Sequence, residues 1–275
     1  MGKAIRTGWN LTLRHKYALM VLFLYRLLWG FFLFRFIDGV VTPILARYPD
    51  EHPSSEAVPL FWAEAEFRLI KTGLVQETAL AAAAFVLIRM LATPALQAGL
   101  FHSFHRCGGE EGTRVLEGVR RCWKKIVPLY WLEMSLAILP AVWFFPWIRS
   151  AFFAAASLQG FLGWLLPYAA LWLVWALAVH LLVRGLMFGA AAGTGPVRSL
   201  VLAFRKAPRI GAVTLGMLGP ALFVMAAAAA VTHFWAGFAA VVFLQAFHFV
   251  RVLLQVWTAA AQFSVWSGGT PVGPS

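Results

Sequence analysis

Long apolar runs alternate along the chain with short basic stretches. Six of the runs are long enough to cross a bilayer: 17–37, 78–101, 126–147, 161–191, 210–231 and 236–264. A helix needs about 20 apolar residues to cross a hydrocarbon core of roughly 30 Å. The pattern predicts an all-α integral membrane fold with six transmembrane helices. Pro94 and the Gly219–Pro220 pair predict kinks within the second and fifth spans, because proline removes a helical hydrogen bond. Gly185, Gly189 and Gly193 recur at every fourth residue, a spacing that lets a neighbouring backbone approach closely.

Three of the polar-to-apolar transitions share one shape. Gly118, Trp123, Lys124 and Lys125 mark one, Ser199, Phe204, Arg205 and Lys206 another, and Gly8, Leu13, Arg14, His15 and Lys16 the third. Each has a small residue, an apolar or aromatic residue five places on, and then a basic cluster at the mouth of a run. Pro128 and Pro208 follow closely in the second and third copies. Self-similarity of this kind predicts tandem units. They cover about 1–106, 107–192 and 193–266, each a basic interfacial amphipathic helix followed by a hairpin of two spans. The second span of every unit carries an arginine: Arg89, Arg184 and Arg251. Thr113 is expected to cap the second basic helix, and Pro196 to sit in the first turn of the third.

Residues 38–76 are the one long polar connection, with a short outer helix expected from Phe61 to Leu74. Residues 1–266 read as a single transmembrane domain, and 267–275 have the composition of a disordered tail. The first run exceeds the roughly 7–15 residues of a signal-peptide core, and it carries Arg26 and Arg35. It reads as a retained span.

Composition sharpens the class. The chain of 275 residues is 61% hydrophobic and 12% charged, with a mean hydropathy of +0.76. A soluble domain is nearer 45–50% apolar and about 25% charged. No stretch is left for a separate soluble catalytic domain. The net charge is +12, and 14 of the 23 lysines and arginines fall in 1–16, 102–125 and 193–209. The positive-inside rule then places both termini in the cytoplasm. Segregation of this kind argues against nucleic acid as a partner and for anionic lipid headgroups. The two cysteines, Cys107 and Cys122, both fall on the inferred cytoplasmic side, where disulfides are rare.

Candidate chemistry rests on ionisable residues inside the spans, since one at the bilayer centre costs about 2.5–3.5 kcal/mol on insertion scales. Arg26, Arg89, Glu133, Arg184 and Arg251 are the candidate anion- or lipid-binding residues, with His180 and His248 on the same apolar stretches. Four arginines face one carboxylate, so a convergent set would leave surplus positive charge for a phosphate, which guanidinium binds bidentately. The plainer alternative is that each arginine reaches a headgroup or a backbone carbonyl on its own. Arg14, Lys16, Lys124, Lys125, Arg205 and Lys206 are the expected interfacial anchors. His102, His105 and Cys107 offer zinc-type donors but no fourth ligand, so no metal or other cofactor is expected. The chain holds no Gly-x-Ser-x-Gly, no His-Glu-x-x-His and no phosphate-binding glycine loop.

The repeated device, at Gly118–Pro128 and Ser199–Pro208 with the spans that follow, resembles a group of bacterial six-helix membrane proteins. One of these is the membrane domain found ahead of some glycerophosphodiester phosphodiesterases. The likeness is of pattern and layout. It implies a bacterial cytoplasmic-membrane location and no phosphodiesterase activity, because the hydrolase domain is absent. The leading expectation is a non-enzymatic envelope membrane protein that holds anionic lipid or supports a membrane partner. The alternatives are a transporter or permease subunit for an anionic or lipid-like substrate, and a lipid-modifying enzyme using Glu133 and a histidine.

Overall fold

The computed structural model describes residues 2–45, 74–105, 111–154, 157–234 and 238–268. The described residues form seven helices and no strand. They are α1 (Gly2–Arg14), α2 (Lys16–Leu45), α3 (Leu74–His105), α4 (Glu111–Ala154), α5 (Leu158–Ala192), α6 (Pro196–Phe234) and α7 (Phe238–Ser267). Five of them, α2 to α6, are long and apolar enough to cross a membrane. The chain is a helical protein with the makings of several spans.

The helix boundaries differ from the sequence expectation in one consistent way. The second and third basic stretches are not separate helices. Each is the first part of a longer helix that runs on through Pro128 in α4 and Pro208 in α6. Thr113 therefore lies within α4 and does not cap it. Only the first copy stands apart: α1 ends at Arg14 and α2 starts at Lys16, with His15 between them. Pro196 is the first residue of α6, where its missing N–H costs nothing. Gly193 closes α5 at φ 73°, a left-handed value that glycine adopts without strain. Residues 61–73 of the expected outer helix and the tail from 269 lie outside the described residues, and Leu74 is the first residue of α3.

A 44-residue α4 is about 66 Å long at about 1.5 Å per residue. That exceeds the roughly 40–45 Å of a whole bilayer. Its basic first part projects beyond the apolar stretch without any break in the helix.

The chain divides into two compact units, one of residues 1–20 and 93–275 and one of residues 21–92. In the smaller unit α2 and α3 are joined by rings. Trp29 stacks on Phe85 at 4.1 Å and Phe36 on Phe85 at 6.2 Å.

In the larger unit the helices meet through small residues. α1 packs on α7, α6 on α7, α4 on α5, and α5 on α6. At the α1–α7 crossing, a Cβ added to Gly8 would lie 2.6 Å from the Ala261 backbone nitrogen. Where α3 meets α4, a Cβ on Gly118 would lie 2.6 Å from the His102 Cβ and 3.0 Å from the Gly99 Cα. On α5, a Cβ on Gly185 would lie 2.5 Å from the Ala203 Cβ, and Gly189 abuts Ser199. The residues marked in the sequence as the small position of each copy, Gly8, Gly118 and Ser199, thus all sit at close crossings.

Three phenylalanines fill the space beside these crossings. Phe188 of α5 meets Phe101 of α3 edge-on at 4.9 Å and Phe263 of α7 at 5.6 Å. Phe101 and Phe188 are fully buried. Such edge-to-face pairs add about 0.5–1.5 kcal/mol beyond burial.

Gly8→Ala is expected to destabilise the protein by roughly 1–3 kcal/mol, because backbone on α7 must move to admit the methyl group. Gly163→Ala, where nothing lies within 4 Å, serves as the control and should not destabilise it. Thermal unfolding of the two purified variants in detergent measures the difference.

Candidate functional site

Polar groups inside an apolar bundle need partners, and in the larger unit they find them across four helices. Arg184 is on α5, one residue before Gly185, so it enters the closest part of the bundle. It is 9% exposed. Its guanidinium Nη1 donates to the Gln262 side-chain oxygen on α7 at 3.2 Å. The Gln262 amide nitrogen donates to the Thr214 hydroxyl on α6 at 2.9 Å. The Thr214 hydroxyl in turn donates to the Ile210 carbonyl at 2.9 Å. The three bonds run in one direction, which fixes which way the Gln262 amide faces. The Phe101 ring lies 5.8 Å from the Arg184 guanidinium carbon, a cation–π placement worth about 0.5–2 kcal/mol.

One helical turn away on α5 stands His180. Its Nδ1 lies 2.6 Å from a Glu133 carboxylate oxygen on α4. The His180 side chain is 33% exposed and that of Glu133 14%. Glu133 is also the carboxylate whose field reaches Arg184. Glu133, His180 and Arg184 therefore form one electrostatic group, with Gln262 and Thr214 as its neutral extension.

Two tryptophans hold α4 and α5 in the register that makes this pairing. Pro140 has no N–H, so the Leu136 carbonyl four residues earlier loses its helical donor. The Trp175 indole of α5 donates to that carbonyl at 2.9 Å, and the Trp172 indole donates to the next one, Ala137, at 2.8 Å. An unsatisfied carbonyl in lipid costs several kcal/mol. The proline therefore frees one of the two acceptors, the Leu136 carbonyl, that lock the hairpin.

The remaining sequence candidates are placed differently. Arg89 is exposed on α3, with its guanidinium 6.0 Å from the Trp29 ring centre. Arg26 is half-buried on α2 and Arg251 exposed on α7. The arginines of the three second spans are thus not equivalent. Arg89 and Arg251 each lie ten residues before a crossing residue, Gly99 and Ala261, whereas Arg184 adjoins Gly185. Of the expected anchors, Arg14, Lys16, Lys124, Lys125 and Arg205 are exposed. Lys206 instead donates to the Trp266 carbonyl at 2.5 Å. It caps the end of α7, where a cation also favours the helix dipole. Cys107 lies outside the described residues, and His102 meets Cys122, with Nδ1 and Sγ 3.8 Å apart.

Sequence reasoning missed Gln262, Thr214 and Phe101. The apolar run that carries Gln262 also holds Gln255, another carboxamide, so residue type alone did not single out the first. Nothing in the sequence marked the other two.

Comparison of the chain with protein-family models, with curated proteins and with solved structures gave no match.

Trp175→Phe is expected to destabilise the protein, because the Leu136 carbonyl is left without a donor. Pro140→Ala restores the backbone donor. In that background the same tryptophan substitution should cost less by about 1 kcal/mol. A double-mutant cycle on unfolding in detergent reads the coupling, and equal costs in both backgrounds would separate the indole from the proline.

Proposed function

We propose that this chain is a non-enzymatic multi-pass membrane protein that retains an anionic lipid-class ligand at Arg184. The observation that carries this reading is the state of the Arg184 guanidinium. It has five N–H donors, is nine-tenths buried, and among the described residues makes one hydrogen bond, to a neutral amide. A buried cation with donors to spare is stabilised by an anion that accepts them. A phosphate oxygen pair fits the fork of the guanidinium. Glu133 balances Arg184 only in part, because its carboxylate is engaged by His180.

The architecture of this proposal is six spans arranged as three tandem hairpins, with α7 as the sixth. Two observations support it. Phe101, Phe188 and Phe263 come one from each second span and meet in one cluster. Gly8, Gly118 and Ser199 each pack on the second span of another unit. On this reading the exposed faces of α1 and of the first parts of α4 and α6 lie among headgroups. Arg14, Lys16, Lys124, Lys125 and Arg205 are then their anchors, and both termini are cytoplasmic. The resemblance to bacterial six-helix proteins gives the setting, a cytoplasmic membrane.

The second reading is a transporter subunit for an anionic or lipid-like substrate. The observation in its favour is the 2.6 Å Glu133–His180 contact, since carboxylate–histidine chains inside a bundle serve as proton relays. The lipid-modifying enzyme would use the same pair as acid and base. Among the described residues no hydroxyl or thiol bonds His180, so that route would have to activate water.

The test is to purify the wild type and Arg184→Gln, Arg89→Gln and Arg251→Gln in mild detergent and to quantify co-purifying anionic lipid by mass spectrometry. Arg184→Gln should lose most of it and the other two should keep it. Wild-type lipid content in a folded Arg184→Gln protein would sink the reading.

A further inference from the structure

Arg184, Glu133 and His180 form a group whose charge can take two values. With a neutral imidazole, the Glu133 carboxylate offsets the Arg184 guanidinium and the group is neutral. With one more proton, the imidazolium offsets the carboxylate and Arg184 is left with a net charge of one. A net charge in low dielectric is unfavourable unless a counter-ion accompanies it. Conversely, an anion beside Arg184 is repelled by Glu133 until that carboxylate is neutralised. The proton and the anion therefore each favour the other.

The geometry gives the proton a place to land. His180 Nδ1 faces Glu133, and Nε2 has no partner among the described residues. A water-derived proton binding at Nε2 turns the neutral ring into an imidazolium, and the Nδ1–H continues to donate to the carboxylate. No bond other than that N–H is made.

The groups that surround the three are few. α4 presents Glu133. α6 faces α5 with Ser199, Ala203 and Gly211, and reaches the network through Thr214. α7 presents Gln262 and Phe263, and α3 presents Phe101. Among the described residues Glu133 is the charged group acting on Arg184 and the ion partner of His180.

We propose that the Glu133–His180 pair is a proton site linked to the Arg184 anion site, so that one proton and one phosphate-type monoanion bind together. This rests on the anion site proposed above. Linkage is reciprocal. Lowering the pH tightens anion binding, by about tenfold per pH unit where a whole proton is taken up. The pH window to examine is about 5 to 8, in which histidine side chains as a class change charge.

The experiment uses the full chain in an uncharged detergent and two monoanionic phosphodiesters whose charge does not change across that window. Phosphatidylglycerol supplies the headgroup with its acyl chains, and dimethyl phosphate supplies the ion alone. Affinity is measured against pH, and proton uptake is read with an indicator dye in weak buffer. The wild type should take up close to one proton per phosphatidylglycerol bound near the middle of the window. Dimethyl phosphate giving the same uptake would identify the source as the ionic group itself. Uptake with phosphatidylglycerol alone would identify it as lipid.

The two partners of the pair should shift binding in opposite directions, which a merely structural role would not produce. Glu133→Gln leaves Arg184 uncompensated at every pH, so binding should be tight and flat. His180→Gln leaves the carboxylate in place at every pH, so binding should be weak and flat. Binding that depends on Arg184, with no proton uptake by the wild type, would overturn the linkage and leave the anion site standing. Arg184→Gln binding as the wild type does would overturn the site and the linkage together. The wild-type uptake measurement decides the matter even where a variant fails to fold.

Discussion

Lipid gives helices no hydrophobic reason to associate, because the acyl chains are as apolar as leucine. Association then depends on how closely the backbones can come. In this protein the close contacts are Gly8 on Ala261, Gly118 on Gly99 and His102, Gly185 on Ala203, and Gly189 on Ser199. Each removes a side chain from the path of another helix, so that dispersion and hydrogen bonding act at short range. The three-phenylalanine cluster and the polar network both lie beside these crossings. Gly185 adjoins Arg184, and Ala261 adjoins Gln262.

The polar network obeys the same economy of position. Arg184, Gln262, Thr214 and Ile210 form a line of donors and acceptors with one direction. A half-satisfied network in low dielectric is worse than an apolar core, and the end of the line at Arg184 is the half-satisfied part. That is why the functional reading gathers there. The histidine–carboxylate contact one turn along α5 sets a second polar pair beside Arg184. Its register is held by two indoles, one of them on the Leu136 carbonyl that the missing N–H of Pro140 leaves open. A proline commonly read as a defect here contributes to the pairing of α4 with α5.

Much of this was legible in the sequence, and the failures have physical causes. Apolar run length located the long helices, and the four-residue glycine spacing marked the α5–α6 approach at Gly185 and Gly189, while Gly193 ends α5 and a Cβ there would meet nothing within 4 Å. The basic stretches were visible as chemistry and misread as geometry. A proline near the start of a span suggests a break, yet α4 and α6 carry Pro128 and Pro208 without one. A proline early in a long helix forfeits one hydrogen bond and does not interrupt the rest. The expected equivalence of Arg89, Arg184 and Arg251 failed for a different reason. Counting from the start of each unit ignores the distance along the chain to the residue where the helix crosses its neighbour. Measured that way, Arg89 and Arg251 match and Arg184 does not. Glu133 and His180 are 47 residues apart, and only the antiparallel pairing of α4 with α5 brings them together. The indole-to-carbonyl bonds depend on the same pairing and left no local trace.

The contact between the first and last helices orders events in time as well as in space. The Trp257 indole on α7 donates to the Ile5 carbonyl on α1, across 252 residues of chain, and Ser264 reaches the Ala4 carbonyl. A ribosome makes α1 first and α7 last. Through the whole of synthesis the Gly8–Thr12 face of α1 waits without the partner it is shaped for, while the intervening helices enter the bilayer. Closing so long a loop costs entropy, though each doubling of length adds only about 0.6 kcal/mol. The delay is therefore the larger burden. α1 acts as a clasp that fastens only once α7 has been made, and a chain stopped short of α7 would leave that clasp open.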